Sequence, residues 1–160
     1  CVVHPGHITG PGWWPINPAG NLDPGVAARL AHGEPVALPN FGMETLHHVH
    51  AADVAALFLR CIERWDTAQG EAFHAVAGRP VTLRGYAEAV AAWFGQTPDL
   101  RFLPWEAWCA AVGPEHAAVT FDHLRHSPNC GMEKARRLLD FTPRYPALEA
   151  AWEALERQEL

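Results

Sequence analysis

Lysine and serine are almost absent from this chain. Lys134 is the one lysine among 12 basic residues, and Ser127, just before Pro128, is the one serine. With a net charge of −6 and no basic run, binding to nucleic acid or to an anionic membrane surface is disfavoured. The arginine-for-lysine bias reads as genomic base composition. The lone serine leaves no Gly-x-Ser-x-Gly nucleophile. The four cysteines, Cys1, Cys61, Cys109 and Cys130, form no Cys-x-x-Cys pair. Cys61 and Cys109 fall on apolar helix faces, so reduced thiols in a cytoplasmic protein are expected. A signal peptide and an apolar run of membrane-spanning length are both missing. The chain opens on Cys1-Val2-Val3 without an initiator Met, and the expectation is that its true N-terminus lies upstream.

Glycine-rich phosphate loops are absent as well. Gly10 and Gly12 have the first spacing of Gly-x-Gly-x-x-Gly, but Pro15 occupies the third position and no apolar helix follows directly. A Walker-type Gly-Lys-Ser/Thr does not occur.

What is present is a folding composition. Of 160 residues, 49% are apolar and 19% charged, enough for one domain with a real core. Cys1 to His4 reads as a short buried strand stopped by Pro5-Gly6, and a loop rich in Gly, Pro, His and Trp follows. Asp23-Pro24 has the form of an N-cap with Pro at the first helical position, and Gly33 that of a C′ residue. Strands are expected at 35–39, 45–50, 71–77 and 99–104. The clearest helix carries Val54, Leu57, Phe58, Cys61, Ile62 and Trp65 at helical spacing, with Asp53 at its start. Thr82 caps a helix ended by Gly95, Pro104 opens another, and Gly113-Pro114 breaks it. Final helices are expected from Met132 to Leu139 and from Ala147 to Leu155. The order is α/β or α+β. Most of the seven tryptophans are expected on core-facing helix sides, whereas Trp13 and Trp14, in the loop, either wall a pocket or anchor it.

His47, His48 and His50 share one strand, His48 and His50 on one face and His47 on the other. A zinc site needs three or four converging ligands, and the preferred reading is no metal, with one face of the strand in the core and the other bordering a polar cleft. A small metalloprotein built on these histidines stays open as a third reading. Cys130, near His126, is the only mild nucleophile candidate.

Five segments resemble, in order, motifs of the NAD-dependent epimerase/dehydratase family, the extended short-chain dehydrogenases/reductases. "VVHPGHITGPG" resembles "RPxxxYGPG", and "GNLDPGVAARLAHGEPVAL" the helix that follows it. "TLHHVHAADVAALFL" resembles "RDFIHVDDVAxAxxL". "GEAFHAVAGRPVTLRGYAEAVAAWFG" resembles "GxxYNVGxxxxxTxxEL", and "MEKARRLLDFTPRYPALEAAW" resembles "SKARRLLGFxPRYxxLEEGL". The resemblance covers almost the whole chain and implies the C-terminal half only of such an enzyme. The fold implied is α/β, the C-terminal part of a Rossmann-like NAD(P)-binding fold plus a small α+β substrate-binding lobe. Residues 1–12 and about 45–78 supply late Rossmann strands and a helix, and residues 13–44 and about 79–160 mainly the substrate lobe.

The implied catalytic residues are none, because the family's Tyr-x-x-x-Lys is missing. Tyr86 is followed four places on by Val90 and Tyr145 by Glu149. The resemblance implies NAD or NADP as cofactor, with Pro5, Gly6, His7 and Ile8 passing beside the nicotinamide. It implies substrate contacts from His4, Asn21, Leu22, His47 and His48, and one phosphate contact from Arg125. Leu46 stands where the nucleotide-sugar enzymes have a phosphate-gripping Arg. Leucine supplies no bidentate, charge-assisted contact, so a smaller or less charged substrate is implied. Asp53 matches a structural aspartate. The expected partner is a small-molecule substrate such as a sugar, without nucleic acid or membrane, and homo-oligomer formation stays open. The alternative is a non-catalytic binding or scaffold protein on a truncated Rossmann-like half-fold. An unpaired sheet edge further implies poor stability or self-association of the isolated chain.

Overall fold

A computed structural model describes residues 1–156. The chain begins with β1 (Val2–Pro5), β2 (His7–Thr9), α1 (Pro24–Ala31), β3 (Val36–Pro39) and β4 (Thr45–Leu46). It continues with β5 (His48–His50), α2 (Ala51–Glu63), α3 (Trp65–Ala68), β6 (Ala72–Ala75), β7 (Val81–Thr82) and α4 (Leu83–Trp93). β8 (Leu100–Leu103), α5 (Trp105–Val112), α6 (Pro114–Leu124), α7 (Glu133–Leu139) and α8 (Ala147–Leu155) complete it. The strands pair two by two: β1 with β6, β2 with β5 and β3 with β8 in parallel, β4 with β7 antiparallel.

Two units are formed by interleaved segments. Unit 1 takes Cys1–Pro15, His47–Pro80 and residues 129–156; unit 2 takes Ile16–Leu46 and Val81–Pro128. Residues 129–156 thus group with the β1–β6 pair, although the sequence points to the substrate lobe for most of that stretch. The strand expected across 45–50 is divided at His47 between β4 and β5.

In unit 1, Phe73 and Ala75 of β6 point into a core shared with Val54, Leu57 and Cys61 of α2 and Ala135 and Leu139 of α7. The alternate residues Ala72 and His74 are exposed, as strand periodicity requires. Asp53 explains why 129–156 belong here. It is buried, and its carboxylate accepts from the backbone N–H groups of Arg144 and Tyr145 at 3.0 Å. A buried carboxylate needs such partners. α2 differs from its expected role in one respect: Phe58, Ile62 and, just beyond, Trp65 are exposed. Helical spacing marks two apolar sides here, and only the one with Val54, Leu57 and Cys61 is buried.

Unit 2 follows its local signals. Asp23 caps α1, accepting from Gly25 N–H at 2.9 Å, with Pro24 leading the helix and Gly33 in the left-handed region at φ 70°. Thr82 caps α4 through Gly85 N–H at 3.1 Å. Trp108 is the fully buried tryptophan and donates its indole N–H to Ala37 O at 3.1 Å. Trp13 and Trp14, in contrast, are exposed.

Candidate functional site

Seven of the expected site residues lie in unit 1. His4, at the end of β1, is exposed, its ring edge-on to His74 with centroids 6.2 Å apart. Pro5-Gly6 turns β1 into β2. Gly6 N–H donates to Ala75 O and His7 N–H to His47 O, both at 2.9 Å. A Cβ at residue 6 would collide with the His47 carbonyl oxygen, so glycine is required here by close backbone approach. His7 lies in register with His48 across the β2–β5 pair, their rings 5.9 Å apart, and Ile8 is partly exposed.

His47 and His48 are buried. The Nε2 of His47 is 2.8 Å from Ala77 O, and its Nδ1 faces Cys130 N–H at 3.2 Å. Cys130 N–H can only donate, so Nδ1 accepts and Nε2 carries the proton. That is the neutral tautomer, and burial holds the ring's pKa below the ordinary histidine value. Both ring nitrogens of His50 are engaged as well. Its Nδ1 accepts from Ala52 N–H at 3.1 Å and caps α2, its Nε2 meets Glu153 Oε2 at 2.9 Å, and Tyr145 stacks on the ring at 3.9 Å. Among the described residues, no group of three or more His, Cys, Asp or Glu side chains is arranged to hold a metal ion.

Unit 2 contains a cavity of about 410 Å³ lined by Ala19, Asn21, Asp23, Val26, Arg29, Pro35, Val36, Ala37, Ala111, Val112 and His116. Its volume suits a small organic ligand, with apolar walls and a few polar groups. Asn21 is held rigidly: its Oδ1 accepts from Asn17 Nδ2 at 2.6 Å and from Asp23 N–H at 3.0 Å, and its Nδ2 donates to Thr120 Oγ1 at 3.1 Å. Asp23 pairs with Arg29 at 3.2 Å. Of the other expected unit 2 residues, Leu22 is exposed outside this cavity's lining. Arg125 borders a second hollow of about 210 Å³ with Asn40, Glu44, Trp105, Phe121 and Leu124. Glu44 there accepts from Asn40 at 2.5 Å through one oxygen, while the other, buried, has no hydrogen-bond partner. Arg29 and His116 carry no sequence signal for a cavity. Only the Asp23 cap and its spacing to Arg29 hint at one.

The pairs of parallel strands with covering helices define a mixed α/β chain of partial Rossmann-like architecture. Neither a family model nor a curated protein matches the sequence. Solved structures do match the fold. UDP-N-acetylglucosamine 4-epimerase from Bacillus cereus is 17% identical with a TM-score of 0.62 over 99% of this chain and 45% of its own. An epimerase from Methanothermobacter thermautotrophicus is 19% identical with a TM-score of 0.65 over 96% of this chain and 41% of its own. A dTDP-glucose 4,6-dehydratase from Bacillus anthracis, solved with NAD, is 15% identical with a TM-score of 0.64 over 97% and 43%. The chain therefore spans less than half the length of the solved structures it matches.

Proposed function

We propose that the chain is the substrate-binding C-terminal half of an NAD(P)-dependent epimerase, dehydratase or reductase acting on a sugar or related alcohol or carbonyl compound. The observation that carries this reading is the fold match, in which 99% of this chain superposes on less than half of a sugar-nucleotide epimerase. The unit 2 cavity supports it, because rigid Asn21 lines a space of ligand size. By this reading substrate lies against Asn21 of unit 2; the family resemblance names Leu22, Arg125, His4, His47 and His48 as further substrate residues. Both His47 and His48 are buried, which supports a role in shaping unit 1 over direct contact with substrate.

The cofactor residues fit only part of a dinucleotide. Ile8 offers an apolar contact suited to the face of a nicotinamide ring. The N–H groups of Gly6 and His7 are consumed by Ala75 O and His47 O, leaving neither to hold a pyrophosphate. Bound nicotinamide would supply hydride acceptance, and this chain's own share is substrate binding and orientation. Without Tyr-x-x-x-Lys the chain alone is expected to show no turnover.

Leu46 argues for a substrate less charged than a nucleoside-diphosphate sugar. The test is a binding titration of the chain, followed by amide chemical shifts, with free hexoses and nucleoside-diphosphate hexoses. Shifts at Asn21 and His116 that His116→Ala abolishes are the expected result. Absence of any binding by either class, or turnover by this chain alone at saturating NAD(H), would sink the reading. Cytoplasmic location belongs to the same proposal; no helix among the described residues is long and apolar enough to cross a membrane.

A further inference from the structure

The smaller hollow of unit 2, of about 210 Å³, combines aromatic walls with a carboxylate. Trp105, the first residue of α5, and Phe121, near the end of α6, line it with ring centroids 6.1 Å apart and planes inclined at 50°. Trp105 is fixed by stacking on the buried Trp108 at 5.4 Å. Leu124, the buried last residue of α6, adds an apolar side. Glu44 brings the carboxylate.

That carboxylate is uncompensated. One oxygen accepts from Asn40 Nδ2 at 2.5 Å, and the other is buried with no hydrogen-bond partner. The basic side chains close by are engaged elsewhere. Arg84, whose backbone N–H donates to Gly42 O, directs its guanidinium to Glu88 at 2.7 Å and over the Phe102 ring. Arg125 also lines the hollow, but it donates from Nε to His126 and faces Asp122 at 3.9 Å. An unsatisfied buried oxygen on a charged group is costly, and a cation that carries an N–H donor removes the cost.

We propose that this hollow binds a small organic amine in its ammonium form, with an N–H donated to Glu44 and an aromatic or apolar body against Trp105 and Phe121. Each part of the hollow answers one part of such a ligand. The carboxylate supplies the counter-charge and the acceptor. Aromatic faces attract an organic cation and cover its carbon skeleton. The volume suits a single ring with a short chain. A divalent metal ion needs more ligands than one carboxylate and one amide. An acidic ligand would meet the charge of Glu44.

The hollow shares no lining residue with the larger cavity, so its failure and that of the proposed sugar binding are separately visible. The experiment is a titration of the full chain with phenethylamine, followed by calorimetry and amide chemical shifts. Phenylacetate and 2-phenylethanol, which keep the ring and change the head group, serve as comparisons. Phenethylamine is expected to bind and to shift the amides of Glu44, Trp105 and Phe121, leaving Asn21 and His116 in place. Glu44→Gln keeps the shape of the side chain and removes its charge. It should weaken binding by about 10-fold or more, the scale of a hydrogen bond to a charged group. Phe121→Ala, at a half-exposed position, should weaken it independently by about 3-fold. Circular dichroism confirms that each variant is folded. Equal binding of phenylacetate or 2-phenylethanol overturns the proposal, as does a phenethylamine affinity that Glu44→Gln leaves unchanged. Absence of phenethylamine binding at millimolar concentration also overturns it, and assigns the unpartnered oxygen of Glu44 to water.

Discussion

The two units satisfy their buried polar groups in different ways. In unit 1 the partners are far apart in sequence: Asp53 with the Arg144 and Tyr145 amides, His47 with the Cys130 amide, His50 with Glu153. In unit 2 they are mostly neighbours: Asn17 with Asn21, Asp23 with Gly25, Thr82 with Gly85. Longer links run there too, from Thr120 to Asn21 and Ala19, from Trp108 to Ala37 and from His123 to Gly20. Unit 1 is therefore stitched together by single residues whose loss strands a distant partner. Unit 2 adds to such links a set of caps and turns that form almost in place.

The sharpest way to break this contrast is Asp53→Ala. It strands two backbone N–H groups and should cost about 3 kcal/mol, measured by urea unfolding, with the loss of hydrogen-exchange protection confined to unit 1. Equal loss of protection in unit 2 would show that the units unfold as one. Next, Asn21→Ala should cost about 2 kcal/mol by the same measurement. Because its partners are mainly local, the loss should centre on residues 17–25 and 120, and ligand binding in the cavity should fall with it.

A smaller effect comes from pH. The pKa of His47 is lowered by burial, so the unfolded chain binds its proton more readily than the folded one. Its contribution is present above the unfolded value of about 6.5 and is lost as pH falls through the folded value. Thermal melts should show the natural chain losing stability with acidification more steeply than His47→Gln, whose side chain does not titrate. Smallest of all, Asp99→Asn in unit 2 should leave the melting temperature unchanged. Its carboxyl lies well below the usual range because Arg101 holds it at 2.7 Å, but both groups are solvent-exposed and their pairing is screened.

The same contrast decides what was legible in the sequence. Signals completed within a few residues were readable: the Asp23-Pro24 and Thr82 caps, the Gly33 stop, the break at Gly113-Pro114 and the last two helices. Asp53 was readable as structural, yet its donors, 91 residues away, were not. β2 was hidden in a Gly/Pro-rich loop, because three residues paired to a distant strand leave no periodic trace. The family resemblance offers His47 and His48 as substrate contacts, and only the fold shows His47 turned onto backbone groups. The exposed side of α2 misleads by the same logic, since spacing reports apolarity and cannot report which of two apolar sides is covered. The cavity joins Asn21 to His116, and no local pattern connects them.

The Asp53 carboxylate also has a consequence for the chain as it is made. The Arg144 amide that it binds is synthesised 91 residues later. At about 5–20 residues per second, a ribosome needs on the order of 5–20 s to cover that distance. During that interval Asp53 must stay hydrated, since sealing it beneath α2 would bury an unpaired charge. Full closure of the core around Phe73, which includes Ala135 and Leu139, is thus expected only after translation has passed residue 145. A product cut short before that point would lack the partners of Asp53 and is expected to be less stable and more open to proteolysis.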